Sequence, residues 1–231
     1  MHFCHSIAIW ADYPELVPGV LAVDGIVPDA FVADRIARFA SIAESRLETH
    51  SEAELPEIQA WRRAFARMGL KPTQYRCASE SLLRRLRKEG SLPRIHPLID
   101  LCNAISVAFA IPVAAFEASK IAGYIEVRHA TGDETYEAFS GEAENPAPGE
   151  VIFADGAGRA HARRWTNRQS GYSAVRGEAG TVLIVAEAMH DSARADIERL
   201  VATMADEIDA VWSATPTTGV LTSASPRFEF L

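Results

Sequence analysis

The feature that most restricts the fold of this chain is a change of period part-way along it. Up to Phe109 most apolar residues recur at helical spacing, whereas from Tyr124 to Ala188 they fall into short, partly alternating runs separated by Gly, Pro and Asp. The first pattern predicts helices over Val32–Leu47 (Ile36, Phe39 and Ile42 inward) and over Glu57–Met68, the second ended by Gly69 and Pro72. Ser79 is a capping residue for a third helix reaching Glu89, with Gly90 placed where positive φ is cheap. In that helix Leu82, Leu83 and Leu86 face the core. Pro97 suits the first turn of a fourth helix ending near Phe109, before Pro112. The second pattern predicts strands over Tyr124–His129, Thr135–Phe139, Val151–Ala154, Ala160–Trp165 and Thr181–Ala188. Two earlier strands, Phe3–Trp10 and Val20–Ile26, are expected on either side of Pro14 and Pro18. Asp191 or Ser192 caps a last helix with Ile197, Leu200, Val201, Met204, Ile208 and Val211 on one face. Helices early and strands late imply an α+β fold, helices packed on a mainly antiparallel sheet. A length of 231 residues suits one domain over 1–231.

Composition narrows the function. No apolar run is long enough to span a membrane, and the N-terminus has no basic-then-apolar leader. Cys4, Cys77 and Cys102 are odd in number and far apart, which fits a reducing compartment; the cytoplasm is expected. The net charge of −8 argues against a general DNA binder. It is unevenly spread, however. Residues 61–95 hold ten Lys and Arg against only Glu80 and Glu89, and this basic stretch is either a phosphate-binding surface or a solvated helix face.

No glycine-rich phosphate loop, nucleophile elbow or paired-cysteine zinc pattern is present, so no metal or cofactor is expected. His2, Cys4 and His5 do not form a ligand set, because alternation turns Cys4 away from His2. Three polar clusters stand out instead. Lys71–Glu80 leads a loop, with Arg76, into the basic helix, where Arg84, Arg85, Arg87 and Lys88 face outward. Asp100 and Asn103 interrupt the apolar stretch Ile99–Pro112, as structural brackets or as ligand contacts. Arg163, Arg164, Trp165, Thr166, Asn167, Arg168, Gln169 and Ser170 form either a strand-end corner or a surface reading a sugar, base or carboxylate.

The run from Leu92 to Gly141 carries a recognisable pattern. Pro93, Ile95, Pro97, Asp100, Asn103, Pro112, Phe116 and Glu117 are followed by Ile125, Val127, Arg128, Ala130, Asp133-Glu134-Thr135 and Phe139, then by Val151-Ile152-Phe153-Ala154-Asp155. Over about residues 92–190 this resembles the editing domain of the phenylalanyl-tRNA synthetase β subunit. The flanking Gly69–Arg85 and Arg164–Gln169 segments resemble the freestanding B-three/four-domain proteins, a branch that includes trans-editing factors, one of which removes canavanine from mischarged arginine tRNA. The family core here is about residues 69–190.

What the resemblance implies is a trans-editing hydrolase, acting for translation fidelity, that deacylates a misacylated tRNA, with a canavanyl-like or other basic analogue as leading substrate. Glu134 and Asn103 match the family's pocket residues and are the implied catalytic pair. Glu80, Glu126, Asp155, Trp165, Asn167, Arg168 and Gln169 are the expected substrate contacts, and Arg76, Arg84, Arg85, Lys88 and Arg164 the expected tRNA contacts. The synthetases place a histidine where this chain has Ala114 and usually a threonine where it has Cys102, which points away from tyrosine as substrate. Two other classes remain open: a tRNA-binding module without hydrolysis, favoured by Ala114, and a small-molecule hydrolase or amino-acid binder, favoured by the net negative charge.

Overall fold

The computed structural model of the protein describes residues 1–177 and 179–231. Along the chain run β1 (His2–His5), α1 (Ile7–Asp12), β2 (Val17–Ile26), α2 (Ala33–Thr49), α3 (Pro56–Arg67), α4 (Ala78–Glu89), α5 (Pro97–Phe109) and β3 (Val113–Glu117). There follow β4 (Tyr124–His129), β5 (Tyr136–Glu137), β6 (Ala143–Glu144), β7 (Val151–Asp155), β8 (Ala160–Arg163) and β9 (Arg168–Gln169). The chain closes with β10 (Ala179–Ala188), α6 (Ala193–Trp212), β11 (Thr217–Val220) and β12 (Arg227–Glu229). One sheet has the order β12-β1-β4-β7-β8-β9, a second β11-β2-β10-β3, and β5 and β6 pair alone. All these ladders are antiparallel except β1 with β4, so the fold is α+β with mainly antiparallel sheets.

Strand β10 shows why the second sheet sits at the centre. Val182 to Ala188 are all buried, on both faces, and the strand pairs with β2 on one side and β3 on the other. A strand covered on both faces reads as a continuous apolar run, and Glu187 is the one charge within it. Helix α6 lies on this sheet through Ile197, Leu200, Val201, Met204 and Ile208, as its spacing predicts. The approach is close at Gly19, where a Cβ would stand 2.6 Å from the Val201 Cγ2 and 2.7 Å from the Ile197 Cγ2. Helix α5 is buried on nearly every side, with α2 and α4 against it.

Several local expectations are corrected. Phe3–Trp10 is not one strand: β1 stops at His5, and Ser6 caps α1 through its hydroxyl. Pro18 does not separate strands but lies inside β2, opposite Glu187. Helix α4 begins one residue before Ser79, with Cys77 at the cap position and Ser79 buried in the first turn; Gly90 closes it at φ 66°, as expected. Ser192 occupies the cap position of α6 without capping it, its hydroxyl turned to Asp196 instead. Strands β11 and β12 carry too few apolar residues to stand out in the sequence, and β3, apolar in four of its five residues, is short and follows directly on the apolar helix α5 and Pro112.

Candidate functional site

The loop between β8 and β9 turns back on itself within four residues. Arg164 (φ 46°) and Trp165 (φ 59°) both adopt the left-handed conformation, which side chains rarely take and which costs of order 1–3 kcal/mol per residue. Specific contacts hold it there. The Arg164 N–H donates to Glu150 (3.0 Å) and the Trp165 N–H to the Val151 carbonyl (2.7 Å). The Trp165 indole is fully buried between Tyr13 and Trp61, and its Nε1 donates to both carboxylate oxygens of Glu187 at 3.0 Å.

This turn forms one wall of a small cavity of about 60 Å³. The apolar walls come from Pro112, Val113 and Ala114 on and before β3, and from Phe153, Ala162 and Val185 on β7, β8 and β10. Ala78, at the start of α4, closes a corner, its N–H held by the Thr166 carbonyl at 2.8 Å. The polar lining is Thr166, Asn167, Arg168, Gln169 and Glu187. The Asn167 amide nitrogen donates to the Arg76 carbonyl and that of Gln169 to the Ala115 carbonyl, each at 2.7 Å. Those bonds fix which end of each amide is nitrogen. They leave the Asn167 and Gln169 side-chain oxygens without a donor among the described residues. The buried Thr166 hydroxyl has no partner there either. Arg168 pairs with Glu144 at 3.1 Å.

Glu187 is the residue that sequence reasoning missed. It is 2% exposed, and its Oε1 accepts from the Nε2 of buried His5 at 2.7 Å, while its backbone carbonyl accepts from the Trp61 indole. A charge one residue from the end of the otherwise apolar run Val182–Ala188 was the available signal, because an unsupported carboxylate there would be strongly disfavoured.

Trp165, Asn167, Arg168 and Gln169 are thus brought together, with Ala114 facing them. The other expected residues lie elsewhere. Glu134, 2% exposed, accepts from the Thr131 N–H (3.0 Å), the Gly132 N–H (3.0 Å), the Thr131 hydroxyl and the Arg128 guanidinium. Burial would raise its pKa, but those donors outweigh it and hold the carboxyl down at about 2. Asp155 is likewise filled, by the N–H groups of Ala122, Ala157 and Arg159, and against its desolvation these and His161 hold it at about 2. Glu126 sits on β4 near Arg128, and Glu80 is buried between Arg62 and Arg76. Asn103 lies half-buried on α5 with no side-chain hydrogen bond among the described residues. Asp100 brackets the start of that helix, accepting from the Ile95 N–H at 2.7 Å.

None of the expected carboxylates Glu134, Glu80, Glu126 and Asp155 lines this cavity, whose acidic residue is Glu187. Asp155, His161 and Ser173 form a chain, Nε2 3.2 Å from the Asp155 carboxylate and Nδ1 2.8 Å from the Ser173 hydroxyl. It has the members of a nucleophilic triad, but all three are at most 3% exposed, so no acyl group reaches the serine. The thiols are equally unsuited to attack: burial pushes Cys77 up to about 11 and Cys102 to about 12.

The basic stretch is largely neutralised from within. Arg84 and Arg87 both pair with buried Glu52 at 3.0 Å, Arg85 pairs with Glu89 at 2.9 Å, and Arg76 with Glu80. Lys88 and Arg164 make no ion pair among the described residues; Arg164 lies 4.9 Å over the Tyr75 ring.

No curated protein matches the sequence. Among solved structures, an N-terminal fragment of the phenylalanyl-tRNA synthetase β subunit from Pyrococcus horikoshii is similar at a TM-score of 0.46 and 10% identity, over 93% of this chain and 49% of that one. The chain thus spans about half the length of that fragment. The B3/4 domain family matches residues 60–206, a span that contains every residue lining the cavity. The chain belongs to the B3/4 domain family, a membership that fits a function connected with tRNA.

Proposed function

We propose that the protein is a trans-editing hydrolase that removes a wrongly attached amino acid from tRNA, with the cavity beside the Trp165 turn as the amino-acid pocket. The observation that carries this reading is the convergence of Asn167, Gln169, Thr166 and Glu187 on a space otherwise lined by Val113, Ala114, Phe153, Ala162 and Val185. Apolar walls with a few aimed polar groups are the usual character of a small-molecule site. The unused polar atoms are mainly acceptors, so the pocket suits an amino acid rich in donors: its α-ammonium, and a side chain that donates or carries positive charge. A canavanyl-like or other basic residue meets that requirement.

The chemistry asked of the site is modest. Water attacks the ester carbonyl, the ribose hydroxyl departs, and free amino acid and tRNA result. An aminoacyl ester is already activated, so positioning and a place for the developing negative charge supply most of what is needed. Asn167 and Gln169, each held by a backbone carbonyl, are preorganised to orient the ester. Arg168 is the nearest cation for the developing oxyanion or the terminal phosphate. Outside the cavity, Glu134 fixes Arg128 and the turn after β4.

A second reading, tRNA binding without hydrolysis, is favoured by Ala114, which puts a methyl group on the cavity wall. One assay separates the two. Purified protein is expected to release amino acid, without ATP, from at least one member of a full panel of mischarged tRNAs. Binding to those tRNAs with no release from any of them selects the second reading and rejects the first.

A further inference from the structure

Between β7 and β10 three arginines combine two features, a missing ion pair and a position over an aromatic ring. Arg159, Arg164 and Arg176 make no ion pair among the described residues, although most arginines here are tied to a carboxylate. Each instead lies over an aromatic ring: Arg159 at 4.1 Å from the Tyr172 centroid, Arg164 at 4.9 Å from Tyr75, and Arg176 at 5.7 Å from Phe139. Phe139 is 64% exposed, so its ring is open to solvent beside Arg176.

The backbone holds two of these pairs side by side. The Gly171 N–H donates to the Glu137 carbonyl at 3.0 Å. A Cβ on Gly171 would stand 3.1 Å from the Phe139 Cα and 3.2 Å from the Arg176 Nη2, so the absence of a side chain permits the contact. Ser170 adds a bond from its hydroxyl to the same carbonyl at 2.8 Å. Gly171 and Tyr172 follow the pocket-lining Gln169 by two and three residues, and Arg164 precedes the pocket-lining Trp165 by one.

We infer that Phe139, Tyr172, Arg159 and Arg176 form a stacking platform for the unpaired 3′ nucleotides of an RNA. A base needs a flat surface to stack on and a phosphate needs a cation, and an arginine lying over a ring offers the outer face of its guanidinium plane to the one and its N–H edge to the other. The inference rests on the reading that the cavity takes the aminoacyl end of a tRNA, and the link between the two is the chain itself, Tyr172 following the pocket-lining Gln169 by three residues. It also moves the nucleic-acid contact away from α4, whose arginines are engaged by Glu52 and Glu89.

The test is binding of a fluorescently labelled, single-stranded oligoribonucleotide of about six residues ending in CCA, measured beside a blunt RNA duplex. Wild type is expected to prefer the single strand. Phe139→Ala and Arg176→Ala are each expected to weaken that binding by about tenfold, and together by more, with circular dichroism and melting temperature unchanged. Phe139→Trp is expected to preserve it. Unchanged affinity in the double variant, or no single-strand preference in wild type, overturns the platform whatever the deacylation assay shows. Loss of binding in the double variant with no mischarged tRNA hydrolysed by wild type upholds the platform and sinks the hydrolase.

Discussion

Glu134 and Glu187 are both buried carboxylates, yet their surroundings assign them different work. Glu134 receives donors from Thr131, Gly132 and Arg128, which tie down the turn after β4. Glu134→Gln sets an amide against those donors and is expected to cost about 2 kcal/mol, lowering the melting temperature by roughly 4–8 °C at neutral pH. Activity per folded molecule should change little. Glu134 and Asp155 also fix the acid limit of the protein. Both bind protons less tightly when folded, each held at about 2 against ordinary values of 4.5 and 3.8. Their contribution is complete above about pH 4.5 and is lost as the pH falls toward 2. Denaturant midpoints measured from pH 6 to pH 2 should drop mainly in that window, and less so in Glu134→Gln. Glu187, by contrast, borders the cavity and anchors Trp165. Glu187→Gln, which keeps one acceptor, should raise KM for a mischarged tRNA by more than it lowers kcat; equal effects on both would remove it from the pocket.

Among the elements, α4 shows how charge counted along a sequence misleads. Its outward arginines look available, yet Glu52, 1% exposed and in the turn before α3, collects Arg84 and Arg87. Arg84→Ala with Arg87→Ala therefore strands a buried carboxylate, and the expected result is a stability loss of about 3 kcal/mol in urea titrations with little change in the salt dependence of tRNA binding. The contact between α6 and β2 gives a second element-scale expectation. Gly19→Ala drives a methyl group into Val201 and Ile197 and should cost about 1–3 kcal/mol by the same measurement.

At the scale of the whole molecule, a body of net charge −8 carries three arginines without an ion pair among the described residues, Arg159, Arg164 and Arg176, within a few residues of the pocket-lining segment 165–169. A local cationic rim on an acidic protein discriminates by shape as well as charge, because duplex phosphates approaching elsewhere are repelled. Affinity for tRNA is expected to fall with salt at a slope of about two to three in log–log form, the count of arginines on the rim. A slope near zero would show that the rim contacts no phosphate.

The sequence by itself determined the α+β class, the positions of α2 to α6 and, between Tyr124 and Ala188, strands β4, β5, β7, β8 and β10, but not the two-residue strands β6 and β9. Those elements rest on local rules: helical period, Pro97 in a first turn, Gly90 with positive φ, and a strand apolar on both faces. It also picked out the Trp165–Gln169 cluster, whose composition is unusual wherever it folds. Only the tertiary structure decided which polar groups share the pocket. The Glu187 carboxylate joins His5, 182 residues away, and Trp165 across two sheets. The Arg pairs of Glu52 and the saturation of Glu134 likewise depend on chain segments that no period relates. Hydrogen bonding and ion pairing act over a few ångströms of space, not of sequence, so whether a charged residue is free or spent is settled when the segments meet.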